Sequence, residues 1–125
     1  MLKVLASILC YDIWFYASHI FLHRYMWNIH SVHHGTHPDT LVWSDAYVSH
    51  PVEDALQSLG MFFPYMVCTY NIADTAVILL LLNLRGMARH DHRIGWPHHL
   101  LHHKYMNYNY GEYWIDCACG TLLRC

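Results

Sequence analysis

Charge is what this sequence is shortest of. Asp, Glu, Lys and Arg make up 13% of its 125 residues, against about 25% in an ordinary soluble domain. With a net charge of −2, there is no basic surface to drive binding to nucleic acid. A disulfide framework is missing too. The five cysteines (Cys10, Cys68, Cys117, Cys119 and Cys125) are odd in number and show no CxxC spacing, which fits a reducing compartment. Cys117 and Cys119 read as small buried hydrophobes, with metal binding as the other reading. Low-complexity tracts are absent, and the length suits one modest core, so a single domain over residues 1–125 is expected.

What is present is apolar. Hydrophobic residues reach 55% and aromatics 15%, which excludes disorder and points away from a freely soluble globule. Residues 1–22 form a first apolar stretch. Lys3 would suit the start of a secretory signal, but Asp12, Trp14 and Tyr16 do not suit its centre. The stretch reads instead as a helix that enters or crosses a bilayer and carries His19 and His23 at its end. Residues 59–84 form a second block, long enough at ~1.5 Å per residue to cross a ~30 Å hydrocarbon layer. Pro64, Asn71 and Asp74 interrupt it, so a kinked span, a re-entrant hairpin and a core helix are all open. Trp14, Tyr16, Tyr25, Trp27 and Trp43 read as interfacial or packed aromatics.

Thirteen histidines are the anomaly. "HIFLH" sets His19 and His23 four apart, about 40° around a helix, so both rings share a face. "HSVHH" supplies His30, His33 and His34; "HLLHH" supplies His99, His102 and His103. Two rings one turn apart can approach one ion, and the third can reach a neighbour. A tetrahedral structural zinc uses four ligands, whereas eight histidines suit two ions a few Å apart with places left for small molecules. Imidazole binds Zn, Cu, Fe and Ni, so ligand type does not name the metal. His50, His90 and His92 read as further ligands or as partners that orient ligands, and Asp91 as such a partner or as a solvated charge. His37 and His98 read as polar contacts. Tyr108 and Tyr110 read as packing residues ahead of ligand-orienting ones.

The three boxes, in this order around an apolar segment, resemble the membrane fatty acid hydroxylase and sterol desaturase superfamily. "SHPVEDALQS" (residues 49–58) is similar to the family stretch after the second box. "HHKYMNYNYGEYWIDCACGT" (residues 102–121) is similar to the family ending, closest to its sterol desaturase branch. The resemblance covers residues 14–121. It implies an all-α fold of membrane helices with a cytosolic helical lobe holding two Fe ions. It implies an O2-dependent oxidoreductase that hydroxylates or desaturates a sterol or fatty acyl lipid in lipid biosynthesis. Electrons would come from cytochrome b5 and its reductase or an equivalent donor, at the endoplasmic reticulum. Carried over by position, the ligands are His19, His23, His30, His33, His34, His99, His102 and His103. His50, His90 and His92 match further family histidines. Only 18 residues precede the first box, fewer than the family has there, so a domain short at its N-terminus is expected.

Chemistry supports this reading. An alkyl C–H bond needs an oxidant that no side chain supplies, so metal and O2 carry that step. The chain's work is to hold the ions and align one carbon of an apolar substrate. Imidazoles must be deprotonated to bind, so metal retention should weaken below about pH 6. Two other readings stay open: a metal-binding membrane relative without turnover, and a closed zinc site stabilising a helical domain.

Overall fold

The computed structural model describes residues 2–94 and 96–123. It is all-α, with no strand among the described residues. Helix α1 (Leu2–Tyr25) contains neither Pro nor Gly and runs 24 residues, about 36 Å. Its buried face carries Ser7, Asp12, Phe15, Ser18, His19 and Leu22, at spacings near one helical turn. The polarity is the reverse of a soluble helix. Leu2, Leu5, Leu9, Ile13 and Phe21 point outward instead. Among the described residues α1 alone is long and apolar enough to cross a membrane.

Met26 leaves the helical region (φ −133°) and opens the short helix α2 (Trp27–His30). Ser31 and Val32 keep helical dihedrals into a 3₁₀ turn at His33–Gly35. The second box therefore lies on a helical turn and its continuation, not on one regular helix. Two more 3₁₀ turns, Pro38–Thr40 and Trp43–Tyr47, lead to α3 (Pro51–Ser58). Pro51 sits at the first helical position, where its missing N–H costs nothing, and His50 Nδ1 caps the end by accepting from the Val52 N–H at 3.1 Å.

The second apolar block is broken. It passes through 3₁₀ turns at Leu59–Met61 and Phe63–Met66, and only then enters α4 (Ile72–His90). Asn71 accounts for the late start. Its Oδ1 accepts from the Asp74 N–H at 2.8 Å and Asp74 answers through the Asn71 N–H at 3.4 Å, a reciprocal cap that fixes the first turn. Helix α4 packs on α1, α5 (Pro97–Tyr105) and the Trp43–Tyr47 turn. The last helix, α6 (Tyr113–Cys119), ends at Gly120 in the left-handed region (φ 73°), where glycine meets no Cβ penalty.

The joint between α1 and the chain after α3 is tight at one point. A Cβ on Gly60 would stand 2.5 Å from Trp14 Cδ1, so only glycine lets the indole lie there. Trp14 is anchored by its Nε1–H to the Leu56 carbonyl at 2.8 Å and an edge contact with Phe63. It packs, as does Tyr16, whose hydroxyl meets Thr121 Oγ1 at 3.0 Å. Tyr25, Trp27 and Trp43 are exposed. Asp12 bonds Arg85 across the α1–α4 seam, and Glu112 joins Arg85 at 3.3 Å and Arg89 at 2.8 Å. Cys117 and Cys119 are exposed rather than buried, because α6 lies at the surface; Cys125 falls outside the described residues.

Candidate metal centre

The histidines converge in two adjoining groups. His19, His23, His30, His34 and His102 bring five ring nitrogens within 4.8 Å of one another; His33, His90, His99 and His103 bring four. Helix geometry produces the division. Every pair four apart (19 and 23, 30 and 34, 99 and 103) stays within one group, and the remaining member of each triplet, His33 or His102, turns to the other. The boxes thus interlock, with the His34 and His103 ring centroids 4.5 Å apart across the boundary.

The outer nitrogens are placed by the fold. His19 Nδ1–H donates to the Tyr110 carbonyl at 2.5 Å and His102 Nδ1–H to the Tyr108 carbonyl at 2.7 Å. His33 donates to the Val48 carbonyl at 3.0 Å and His90 to the Gly86 carbonyl at 2.8 Å. His30 donates to Glu53 Oε1 at 2.9 Å. A ring whose proton is on Nδ1 presents a lone pair at Nε2.

Those lone pairs face one another. His30 Nε2 stands 3.0 Å from His19 Nε2, 3.1 Å from His23 Nε2 and 3.0 Å from His34 Nε2. His23 and His102 approach to 3.0 Å, and in the second group His90 lies 3.1 Å from His33 and 3.2 Å from His99. Bare lone pairs at such spacing repel. Two nitrogens that bind one ion at about 2.1 Å and at right angles stand about 3.0 Å apart. The residues present therefore fit a cation in each group, and His34 Nδ1, His99 Nδ1 and both nitrogens of His103 are buried with no other partner.

Burial also keeps the rings neutral. It pulls His30 down to about 4 and drives His33, His34, His99, His102 and His103 below their ordinary value. Neutral imidazole is the form that ligates. Glu53 moves the other way, pushed up to about 7 by burial.

The loop after α5 supplies the two carbonyls that steer His19 and His102. Met106 (φ 58°) ends α5 in the left-handed region, and Asn109 (φ 57°) turns the chain back. Asn109 Nδ2 donates to the His98 carbonyl at 3.0 Å and its Oδ1 accepts from the Leu123 N–H at 2.8 Å. Asp116 accepts from the N–H groups of Tyr110 and Gly111, both at 2.9 Å, and from Thr121 Oγ1 at 2.7 Å. The NYNYG text is thus a hydrogen-bonded brace whose backbone, rather than its tyrosine hydroxyls, orients ligands.

Two expected histidines stand outside both groups. His50 caps α3, and His92 Nδ1–H donates to the Leu41 carbonyl at 2.6 Å. Neither belongs to a ligand group: the His50 ring is engaged with the start of α3 and the His92 ring with the Leu41 carbonyl. Asp91 pairs with Arg93 at 2.6 Å, not with a histidine. His98 meets Asp116 at 3.0 Å and His37 caps a 3₁₀ turn, both as polar contacts. Glu53 was missed altogether. Three residues after His50, in the first turn of a helix, it reads from sequence as a cap acid.

A cavity of about 310 Å³ adjoins both groups. Tyr11 and Phe15 of α1, Glu53 of α3, Leu82 of α4, and His33 and His90 line it. Arg89 also lines it and lies 5.0 Å over the Phe15 ring.

Residues 4–121 match the family model described as fatty acid hydroxylase. No curated protein and no solved structure matches the chain. The match spans all three boxes, both ligand groups and the bracing loop, and the family's activity is of the lipid hydroxylase or desaturase type. The chain belongs to the fatty acid hydroxylase family, within the fatty acid hydroxylase and sterol desaturase superfamily, a family of membrane-associated and typically metal-dependent oxidoreductases.

Proposed function

We propose that this protein is a membrane di-iron oxidoreductase that uses O2 to hydroxylate or desaturate a sterol or fatty acyl lipid. One observation carries the reading: nine imidazoles divide into two touching groups, each with lone pairs aimed inward. A closed four-ligand zinc shell needs fewer. His19, His23, His30, His34 and His102 would hold one iron, and His33, His90, His99 and His103 the other. When bound, the pair supplies the oxidising power toward O2 that an unactivated C–H bond requires.

The chain's own residues do the rest. The Nδ1 hydrogen bonds to Tyr108, Tyr110, Val48, Gly86 and Glu53 fix five of the nine rings (His102, His19, His33, His90 and His30) so that their Nε2 stays deprotonated. The cavity beside His19, His33 and His90 takes the reacting part of the lipid, and its volume sits at the small end of the ~300–1,000 Å³ range of ligand sites. Phe15, Leu79 and Leu82 present apolar wall to that lipid. Position, not side-chain chemistry, then selects the carbon that reacts. Electrons come from cytochrome b5 and its reductase or an equivalent donor, with the histidine lobe on the cytosolic side of the endoplasmic reticulum.

The test is purified protein in lipid, with its metal content measured, given a reductant system and O2, and products read by mass spectrometry. Two irons per chain and an oxidised lipid that needs both O2 and reductant are expected, with His33→Ala and His102→Ala abolishing it. Stoichiometric zinc without O2 uptake, or unchanged product from either variant, overturns the reading.

A further inference from the structure

The nine imidazoles are not backed alike. The outer nitrogens of His19, His102, His33 and His90 meet neutral carbonyls. Those of His34, His99 and His103 meet nothing. His30 alone among the nine meets a carboxylate, Glu53, at 2.9 Å, with the two side chains 0% and 3% exposed. Glu53 is itself short of partners. Gln57 Nε2 donates weakly to the same oxygen at 3.3 Å. Oε2 is buried without a hydrogen bond. Among the described residues no Lys or Arg pairs with it.

We propose that Glu53 makes the two ion sites unequal: its carboxylate, hydrogen-bonded behind His30, strengthens the five-imidazole site more than its neighbour, so that site fills first and keeps its ion longer. The inference rests on the two-ion reading above. A carboxylate on the Nδ1–H of a ligand draws that proton toward itself and makes Nε2 a stronger donor. Five or four neutral imidazoles leave the ion its full charge, so one buried anion nearby changes the balance in a medium that screens little. His30 is also the best placed ring to transmit the effect, since its Nε2 is within 3.0–3.1 Å of three other ligand atoms. No carboxylate hydrogen-bonds a ring of the four-imidazole group among the described residues; Glu53 reaches His33 of that group only through space, across the cavity that both line, so the hydrogen-bonded route through His30 carries most of the effect. Glu53 is a positioning residue: it acts through His30.

The test titrates metal-free protein in lipid nanodiscs with Co²⁺ alone, at about pH 8 so that Glu53 is ionised, and follows the visible absorption. Wild type should bind two ions in two resolved steps. His34→Ala, in the five-imidazole group, should remove the tighter step, and His103→Ala, in the four-imidazole group, the weaker one. Glu53→Gln keeps an acceptor for His30 but removes the charge. It should weaken the tighter step about 10–100-fold and leave the other within threefold. Gln57→Met removes the competing donor and should tighten the same step severalfold, which gives an opposite-signed readout if Glu53→Gln does not fold. Equal weakening of both steps, no weakening of either, or a tighter step that maps to His103 overturns the proposal. Two ions bound in wild type with no such asymmetry sinks this inference alone. A single bound Co²⁺ sinks the two-ion reading and this inference with it.

Discussion

The inside and the outside of this molecule have exchanged their usual chemistry. Among the described residues five large apolar side chains (Phe15, Leu22, Leu41, Ile78 and Ile115) are buried, against fifteen polar or charged ones, seven of them histidines. The outer faces of α1 and α4 carry Leu2, Leu5, Ile13, Ile72 and Leu80, all more than half exposed. In a soluble domain burial of apolar area supplies most of the driving force, and buried polar groups are tolerated when partnered. Here the interior is a polar network around two imidazole groups that fit cations, partnered except at atoms such as Glu53 Oε2, His34 Nδ1 and the nitrogens of His103, and the apolar surface suits a lipid surrounding. On the proposed reading two sources of stability would be separated in space: ligation and hydrogen bonding at the centre, lipid contact at the rim.

The comparison breaks hardest at the centre. His30→Ala removes the ring that touches three other ligand nitrogens, and takes from buried Glu53 its hydrogen bond to that ring. Loss of one bound iron, measured by elemental analysis, and product below about a thousandth of wild type are expected; a normal iron count would contradict the central role given to ligation. Acid should loosen the same centre. His30 is held near 4 and its neighbours are also lowered, whereas in the unfolded chain they titrate near 6.5. As pH falls from about 6.5 toward 4 the unfolded chain takes up protons that the fold refuses. Stability of the metal-free protein then falls, by at most about 1.4 kcal/mol per pH unit for each histidine. Glu53, raised to about 7, opposes this with a single proton. Thermal unfolding between pH 7 and pH 5 reads the slope, and a flat profile would count against it.

Smaller effects compare centre with rim. Leu22→Ala, at a fully buried position, should cost about 2–5 kcal/mol, while Leu5→Ala, more than half exposed, should stay within about 0.5 kcal/mol in detergent. Equal losses from the two would erase the distinction. Gly60→Ala drives a methyl into Trp14 and should cost about 1–3 kcal/mol, read by denaturant unfolding at the α1–α3 joint.

Much of the centre was legible because helical spacing converts directly into geometry. His19 and His23, His30 and His34, and His99 and His103 each share a group as their offset of four implies, and the third member of each triplet crosses over. His50 and His92 were not legible, since their ring directions depend on loop turns that no periodicity encodes. The orienting carbonyls of Tyr108, Tyr110, Val48 and Gly86 were invisible for a different reason. A backbone oxygen has no residue identity, so only the folded path reveals it. The break in the second apolar block was half legible: Pro64 and Asn71 mark it, but the reciprocal cap between Asn71 and Asp74 decides where α4 begins.

Helix α1 joins both regions without a break, from Leu2 at the greasy end to His19 and His23 among the ligands. The span from Leu2 to His19 is about 25 Å at 1.5 Å per residue, close to the ~30 Å depth of a hydrocarbon layer. Laid across lipid, this rod works as a depth gauge. On the proposed lipid-oxidising reading, the stretch of helix between the bilayer surface and His19 would set how far along a neighbouring lipid the reactive centre reaches. Adding a turn to that rod would move the selected carbon by about 5.4 Å without altering a single ligand.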